Sequence, residues 1–422
     1  IRILFNLFLD IIIFIYINSM ENSNGQSYTE KVSASFKNTI SSMRNVNAKE
    51  MITKLNEKKF VVLSYVLIVL IFIILFMTYR WNKTMESKEC KKIAKIYPEL
   101  NGSISAIDNK KVSKNASNNF AYYLNEYYIK TAYNACSLGP YKNNAVSLCI
   151  LRDILKQGVR GLDFCIFSIN DMPIVATSLD KSVYVKETFN YVPFADVLTS
   201  LRDLAFSSSG APNPTDPIVL HLRIQSSNMK MFKNLAGMFK NMSQYVLGKE
   251  YSFENQGKNL GNVQLLNFRN KIIIIADKSN PSFLESSELK EYINMTSNSV
   301  FMRALRYTQG VKYTPDVDEL KSYNKRNMTI VLPDDTANPE NPSGLLSRSM
   351  GCQMVAMRYQ LPDSTLKQDT DFFDSNGHAF VLKPLEMRYI PTFIKKPRPP
   401  SKKLSYAPRD LSAKNGLYKF DI

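Results

Sequence analysis

Histidine is nearly missing from this chain: His221 and His378 are the only two in 422 residues. That scarcity narrows the groups able to exchange protons near neutral pH. Cysteine is also sparse. Cys90, Cys136, Cys149, Cys165 and Cys352 are odd in number, widely spaced and form no C-x-x-C. Neither a disulfide framework nor a thiolate metal site is expected, and a reduced compartment is. Zinc-ligand spacing, a basic recognition helix and an aromatic RNA-binding signature are all lacking, so nucleic acid is not an expected partner. The composition of a disordered chain is lacking too, with 45% hydrophobic and 22% charged residues, which indicates a globular fold. The length suits one large domain with appendages or two modest domains. Acidic residues are outnumbered, 37 against 54 basic, for a net charge of +17. That excess points to an anionic partner such as a phospholipid surface, with ordinary solvated lysine charge as the plain alternative.

What is present begins with one long apolar run. Residues 60–77, FVVLSYVLIVLIFIILFM, carry no charge, and only Ser64 and Tyr65 are polar. At about 1.5 Å per residue the run nearly spans a hydrocarbon core, and a single transmembrane helix is expected over 60–78. Lys58 and Lys59 precede it, and Arg80, Trp81 and Lys83 follow, the residue types of an interfacial anchor. Basic residues on the two sides are too evenly balanced to fix orientation. Residues 20–59 read as a polar flexible segment and 79–118 as a polar linker. Residues 1–19, which do not start with methionine, are expected to be mistranslated upstream sequence, with a signal-like or second membrane segment as the alternative.

From residue 127 onward, strand-like runs recur at 127–135, 159–167, 172–178, 217–224, 271–277, 328–333, 352–360 and 378–384. Several are near-continuous apolar runs, as expected of strands covered on both faces. Helical patterns lie between many of them, at 145–158, 194–206, 228–248 and 286–293. Such alternation predicts a (β/α)8 barrel or an open α/β sheet. The tail from Thr392 is basic and proline-rich and reads as an extended segment. Within DPIVLHLRIQSS (216–227), Arg223 interrupts a core strand, an expensive place for a charge.

At LKQGVRGLDFCIF, PIVAT and FADVLTSLRDLAFS…DPIVLHLRI the chain resembles the X half of eukaryotic phosphoinositide-specific phospholipase C. YNKRNMTIVLP, GCQMVAMRYQ and SNGHAFVLKPLEMR resemble the Y half, in the right order and spacing. The resemblance covers Asn119 to Arg388. It implies a distorted (β/α)8 TIM barrel of the phospholipase C-like phosphodiesterase type, with its site at the C-terminal ends of the strands. It divides the chain into an X-like half at 119–281, a connection at 282–320, a Y-like half at 321–391 and a basic tail at 392–422.

Members of that family cleave a phosphodiester through attack by the neighbouring inositol hydroxyl. Two histidines act as base and acid, and a calcium ion is held by Asn, Glu, Asp and Glu. Placed residue by residue, the first histidine falls on Tyr133 and the asparagine on Asn134. The Glu-x-Asp pair falls on Asp163 and Cys165, the second histidine on Thr177, and the last calcium-binding glutamate on Arg223. The phosphate-binding lysines fall on Ile275 and Asp277, with Lys278 just beyond, and the substrate-binding arginine of the Y half on Ile330. The resemblance thus implies a degenerate site with no confident catalytic residue, no metal and no cofactor. Arg223 and Lys278 remain as weak candidates for binding substrate. His221, one layer deeper than Arg223 on the same strand face, reads as a core histidine, and His378 as structural.

The leading expectation is a single-pass membrane protein, phospholipase C-like but a pseudoenzyme. Its task would be to bind a lipid headgroup, a protein, or both. Arg223 and Asp163 are expected to form a buried ion pair in place of the metal, with phosphate binding by Arg223 as the functional alternative. Lys395, Lys396, Arg398, Lys402 and Lys403 form a candidate membrane-surface cluster. One alternative is a divergent active phosphatidylinositol phosphodiesterase that uses Arg223 instead of calcium, as metal-free bacterial relatives do. Another is a structural component of a membrane or viral assembly.

Overall fold

The computed structural model describes residues 59–107, 120–179 and 184–391, and the backbone of two further strands, Asp410–Ala413 and Tyr418–Asp421. The chain divides into two units, one ending at Glu89 and one starting at Cys90. In the first, the charge-free run lies in helix α1, Lys59–Ile96. Its apolar residues from Leu63 to Met77 are largely exposed. It is long and apolar enough to cross a membrane. The helix corrects the expected start of the linker, since residues 79–96 are helical and not irregular.

The second unit is built on parallel strands: β1 Tyr127–Ala132, β2 Gly161–Ile169, β5 Ile218–Gln225, β6 Ile272–Asp277, β7 Met295–Ser297, β8 Met302–Arg306, β9 Met328–Leu332 and β10 Met354–Met357. They follow one another in the order β7-β6-β5-β2-β1-β10-β9-β8. Every pair along that path is parallel. Among the described residues no ladder joins β7 to β8, so the cylinder is nearly closed. Three antiparallel additions decorate it. β3 (Met172–Val175) lies on β2, β4 (Val192–Pro193) on β3, and β11 (Phe380–Leu382) on β1.

The strands are covered on both faces, which is why they read as apolar runs. On β2, Phe164 meets Phe194 of helix α3 (Phe194–Ser200), edge to face at 6.4 Å, while Asp163 reaches His221 across the interior. Helices α2 (Leu148–Lys156) and α4 (Met229–Asn241) stand where expected, though α4 is shorter than its pattern. The expected helix over 286–293 shrinks to one turn, Ser287–Lys290. Helices α5 (Val317–Arg326), α6 (Gly344–Ser349) and α7 (Ser364–Asn376) cover the Y half. The expected connection over 282–320 contains two barrel strands, β7 and β8. The expected extended tail contains the antiparallel pair Asp410–Ala413 and Tyr418–Asp421. Residues 1–58, including the doubtful leader, lie outside the described residues, as does the cluster Lys395, Lys396, Arg398, Lys402 and Lys403.

The cysteine expectation is corrected. Cys90, near the end of α1, is disulfide-bonded to Cys149 of α2, 59 residues away in sequence, while Cys136, Cys165 and Cys352 are buried outside any disulfide. The wide spacing hid the pair, and the reduced-compartment expectation loses its support.

One glycine is required by close approach. A Cβ on Gly161 would lie 2.3 Å from Thr131 Oγ1 on the adjoining strand. Gly161→Ala must therefore displace β1 or β2. It is expected to cost about 1–3 kcal/mol, read as a lower denaturant midpoint at unchanged slope.

Candidate barrel-mouth site

The inward residues of β1, β2, β5 and β6 form layers, as in other parallel barrels. Ile129, Val219 and Ile273 belong to the apolar core beneath. Above it, Asp163 is in register with His221, and His221 with Ile275. In the next layer Cys165 is in register with Arg223. Tyr133 and Asn134 continue the chain just past the end of β1.

Asp163 is fully buried and is the hub of this site. Arg223 grips it in a fork: Nε donates to Oδ1 at 3.0 Å and Nη2 to Oδ2 at 2.9 Å. The same Nη2 donates to Asn134 Oδ1 at 2.5 Å. Asn134 has a positive φ of 44°, a conformation asparagine tolerates better than most residues. That turn brings its backbone N–H to Asp163 Oδ2, 3.2 Å away. From below, His221 Nδ1 lies 2.7 Å from Asp163 Oδ1 and its Nε2 lies 2.9 Å from Ser297 Oγ. With a carboxylate as acceptor, Nδ1 carries the hydrogen. Ser297 Oγ also lies 3.4 Å from Asp277 Oδ1, which accepts from Asn298 Nδ2 at 2.8 Å.

Electrostatics follow from this packing. Burial alone would push the Asp163 carboxyl upward, but the Arg223 guanidinium and the His221 hydrogen bond outweigh it and hold the group well below the usual carboxylate range. For Arg223, burial works against the charge and Asp163 more than restores it, so it stays protonated at any ordinary pH. The expected ion pair is present, and His221 is the bonded core histidine that its position on β5 implied.

Around the pair lies a cation–aromatic layer that the sequence did not reveal. The Arg223 guanidinium sits 4.7 Å from the Tyr133 ring centroid and that of Arg306 6.0 Å from it. Arg306 also donates to Tyr133 Oη at 3.1 Å and pairs with Asp335 at 2.7 Å. Tyr133 meets Tyr141 edge to face at 5.4 Å, and Arg358 lies 4.9 Å from the Tyr141 ring. The Tyr141 hydroxyl is buried with no hydrogen-bond partner among the described residues. Only its distance from the strands kept Tyr141 out of the sequence reading. Arg306 falls inside the stretch taken for a connection.

The other expected site residues are not all at the charged pair, although Cys165 keeps its place beside Arg223. Thr177 is buried and donates its hydroxyl to the Tyr141 carbonyl at 2.8 Å. Cys165 is packed with Phe167, Ile174 and Ala176. Ile275 and Ile330 are core residues. Lys278 is paired with Glu254 at 3.2 Å and does not point an unpaired charge at the mouth. His378 lies far from this chemistry, with Nδ1 2.9 Å from the Ser105 carbonyl and its ring edge-on to Phe120 at 4.9 Å.

Comparison with known proteins agrees with this architecture. The family model described as phosphatidylinositol-specific phospholipase C, X domain, matches residues 121–278, and the Y domain model matches residues 272–386. Together they span well over half of the chain. Among solved structures, S. officinalis PLC21 superposes with a TM-score of 0.52 and L. pealei PLC21 with 0.53, each at 19% identity over 64% of this chain. The match spans 38% of each of those chains. No curated protein sequence matches significantly.

Proposed function

Since this chain belongs to the phosphatidylinositol-specific phospholipase C family, through both halves of the barrel, we propose that it is a membrane-anchored member that binds an anionic lipid headgroup without cleaving it. The observation that carries this reading is the closed circuit at Asp163. The one carboxylate in the expected metal-binding set gives both oxygens to Arg223 and one of them also to His221. The Asn134 side-chain oxygen is taken by the same guanidinium.

The fit of a calcium ion is poor on chemical grounds. Ca²⁺ takes six to eight oxygens, typically with several carboxylates. Here a fixed guanidinium occupies the carboxylate, and among the described residues no three His, Cys, Asp or Glu side chains converge on a metal position. Proton transfer fares no better. Burial drives the Tyr141 hydroxyl well above its ordinary value, and the imidazole of His221 is enclosed. No step of hydrolysis is therefore assigned to this site.

Binding rests on charge and anchoring. Helix α1 would hold the chain at a bilayer. The net charge of +17 favours an anionic surface. Each basic residue among Lys395, Lys396, Arg398, Lys402 and Lys403 would add about 1 kcal/mol near such a surface. Two assays test the reading. Purified full-length protein is expected to release no diacylglycerol from phosphatidylinositol or its phosphates, with calcium or with chelator. It is expected to bind liposomes in proportion to anionic lipid, and less as salt rises. Turnover by the unsubstituted protein that disappears in an Arg223→Ala variant shown to be folded would instead establish an arginine-assisted phosphodiesterase. Binding indifferent to lipid charge and salt would remove the headgroup role.

A further inference from the structure

The disulfide and one asparagine together say which side of a membrane the barrel occupies. Cys90 and Cys149 are joined with their Cα atoms 5.9 Å apart, a separation natural for the bond. Both are half-buried, whereas Cys136, Cys165 and Cys352, which form no disulfide, are buried. The two cysteines that solvent and redox enzymes can reach are thus the two that are oxidised. Disulfides of this structural kind persist in oxidising compartments and are rare where glutathione keeps thiols reduced. Cys90 lies 13 residues beyond Met77, the end of the apolar run, so the bond sits on the C-terminal side of the candidate span, with the barrel.

A second feature points the same way. The chain carries N-glycosylation sequons at Asn82, Asn101, Asn115, Asn241, Asn294 and Asn327. Asn115 lies outside the described residues. Asn294 is buried, with its amide donating to the Tyr251 carbonyl at 3.2 Å. Asn101 donates its amide to Asp374 Oδ1 at 2.9 Å, and Asn327 is bonded to Asn259 at 3.2 Å. Asn241 differs. It is the last residue of α4, exposed, and Ser243 beside it is exposed as well. An amide nitrogen open to solvent at a helix end, where the backbone frays, suits a glycan acceptor.

We infer that the barrel lies on the oxidising, extracytoplasmic side of the membrane, where the Cys90–Cys149 disulfide forms and Asn241 is an N-glycan acceptor. This rests on the anchoring part of the function proposed above and not on the barrel's ligand. The headgroups within reach would be those of the extracytoplasmic leaflet.

The test uses the full chain expressed in a glycosylating eukaryotic cell. Intact microsomes are treated with protease, with and without detergent, and thiols are alkylated before and after reduction. The barrel is expected to survive protease until detergent is added. Cys90 and Cys149 are expected to be recovered as one linked peptide pair that alkylates only after reduction. A glycosidase-sensitive mobility shift is expected and should be reduced by one glycan in Asn241→Gln. Digestion of the barrel without detergent, or unlinked Cys90 and Cys149 in protected material, overturns the assignment. A protected, linked barrel with Asn241 unmodified overturns the glycan site. Carbonate extraction distinguishes a failure of the premise: release of the protein into the soluble fraction would refute the anchor, whichever side the barrel occupies.

Discussion

Arg223→Ala is expected to destabilise the barrel by about 3–5 kcal/mol, because it strands a buried carboxylate without its counter-charge. Asp163 is fully buried and Arg223 is 5% exposed, so water cannot step in. The substitution also removes the guanidinium from the Tyr133 face, a contact of about 1–2 kcal/mol when desolvated. The informative comparison is the double variant Asp163→Leu with Arg223→Met, which removes both charges and keeps the volume. Its loss should be much smaller than the sum of the two single losses, since a buried pair earns little over an apolar replacement. Near-additive losses in equilibrium urea unfolding would show that the two side chains act independently. The pair also sets an acid limit. The folded carboxyl is held below its unfolded value, which is about 3.9. Its contribution is therefore complete above that pH and is lost as the pH falls toward the folded value.

Lys383→Met is expected to stabilise the protein near pH 6, by on the order of 3 kcal/mol, and to lose that advantage by about pH 10. Lys383 follows β11 and is 1% exposed. Its Nζ donates to the Asn324 carbonyl at 2.9 Å, and no carboxylate pairs with it among the described residues. Burial drives its ammonium down to about 7. The neighbouring Cys352 thiol supplies no compensating charge, because burial pushes it up to about 12. Between about 7 and the ordinary lysine value of about 10.4 the unfolded chain binds the extra proton, so stability of the unsubstituted protein should rise with pH across that window. A variant that gains equally at both pH values, or that loses stability at pH 6, would show that the ammonium is satisfied in the fold.

Much of the barrel was legible because its strands are buried on both sides. The runs at 217–224 and 271–277 became β5 and β6 almost unchanged. What failed was short or hidden. β7 has three residues and β8 has five, with Arg303 and Arg306 breaking any period-two pattern, so neither stands out from a linker. Helix α7 carried readable signals that were passed over: Asp363 accepts from Leu366 N as its N-cap, and Gly377 closes it at φ 75°. At the site, the misfit of Arg223 in an apolar strand was enough to place it against Asp163, two strand registers above the core. The Tyr133–Tyr141 pair was out of reach because Tyr133 and Tyr141 lie past the end of β1, where period-two and period-3.6 patterns say nothing, and Arg306 because it ends the unrecognised β8. The disulfide was missed for a related reason. Spacing along the chain says nothing about two cysteines that the fold brings together from α1 and α2.

The most direct test of the central claim, that a guanidinium has taken the place of the metal, is a calorimetric titration of the purified full-length protein with Ca²⁺ at neutral pH. No stoichiometric binding is expected, and Asp163→Asn should leave the trace unchanged. Saturable one-to-one binding that is lost in Asp163→Asn would contradict the account.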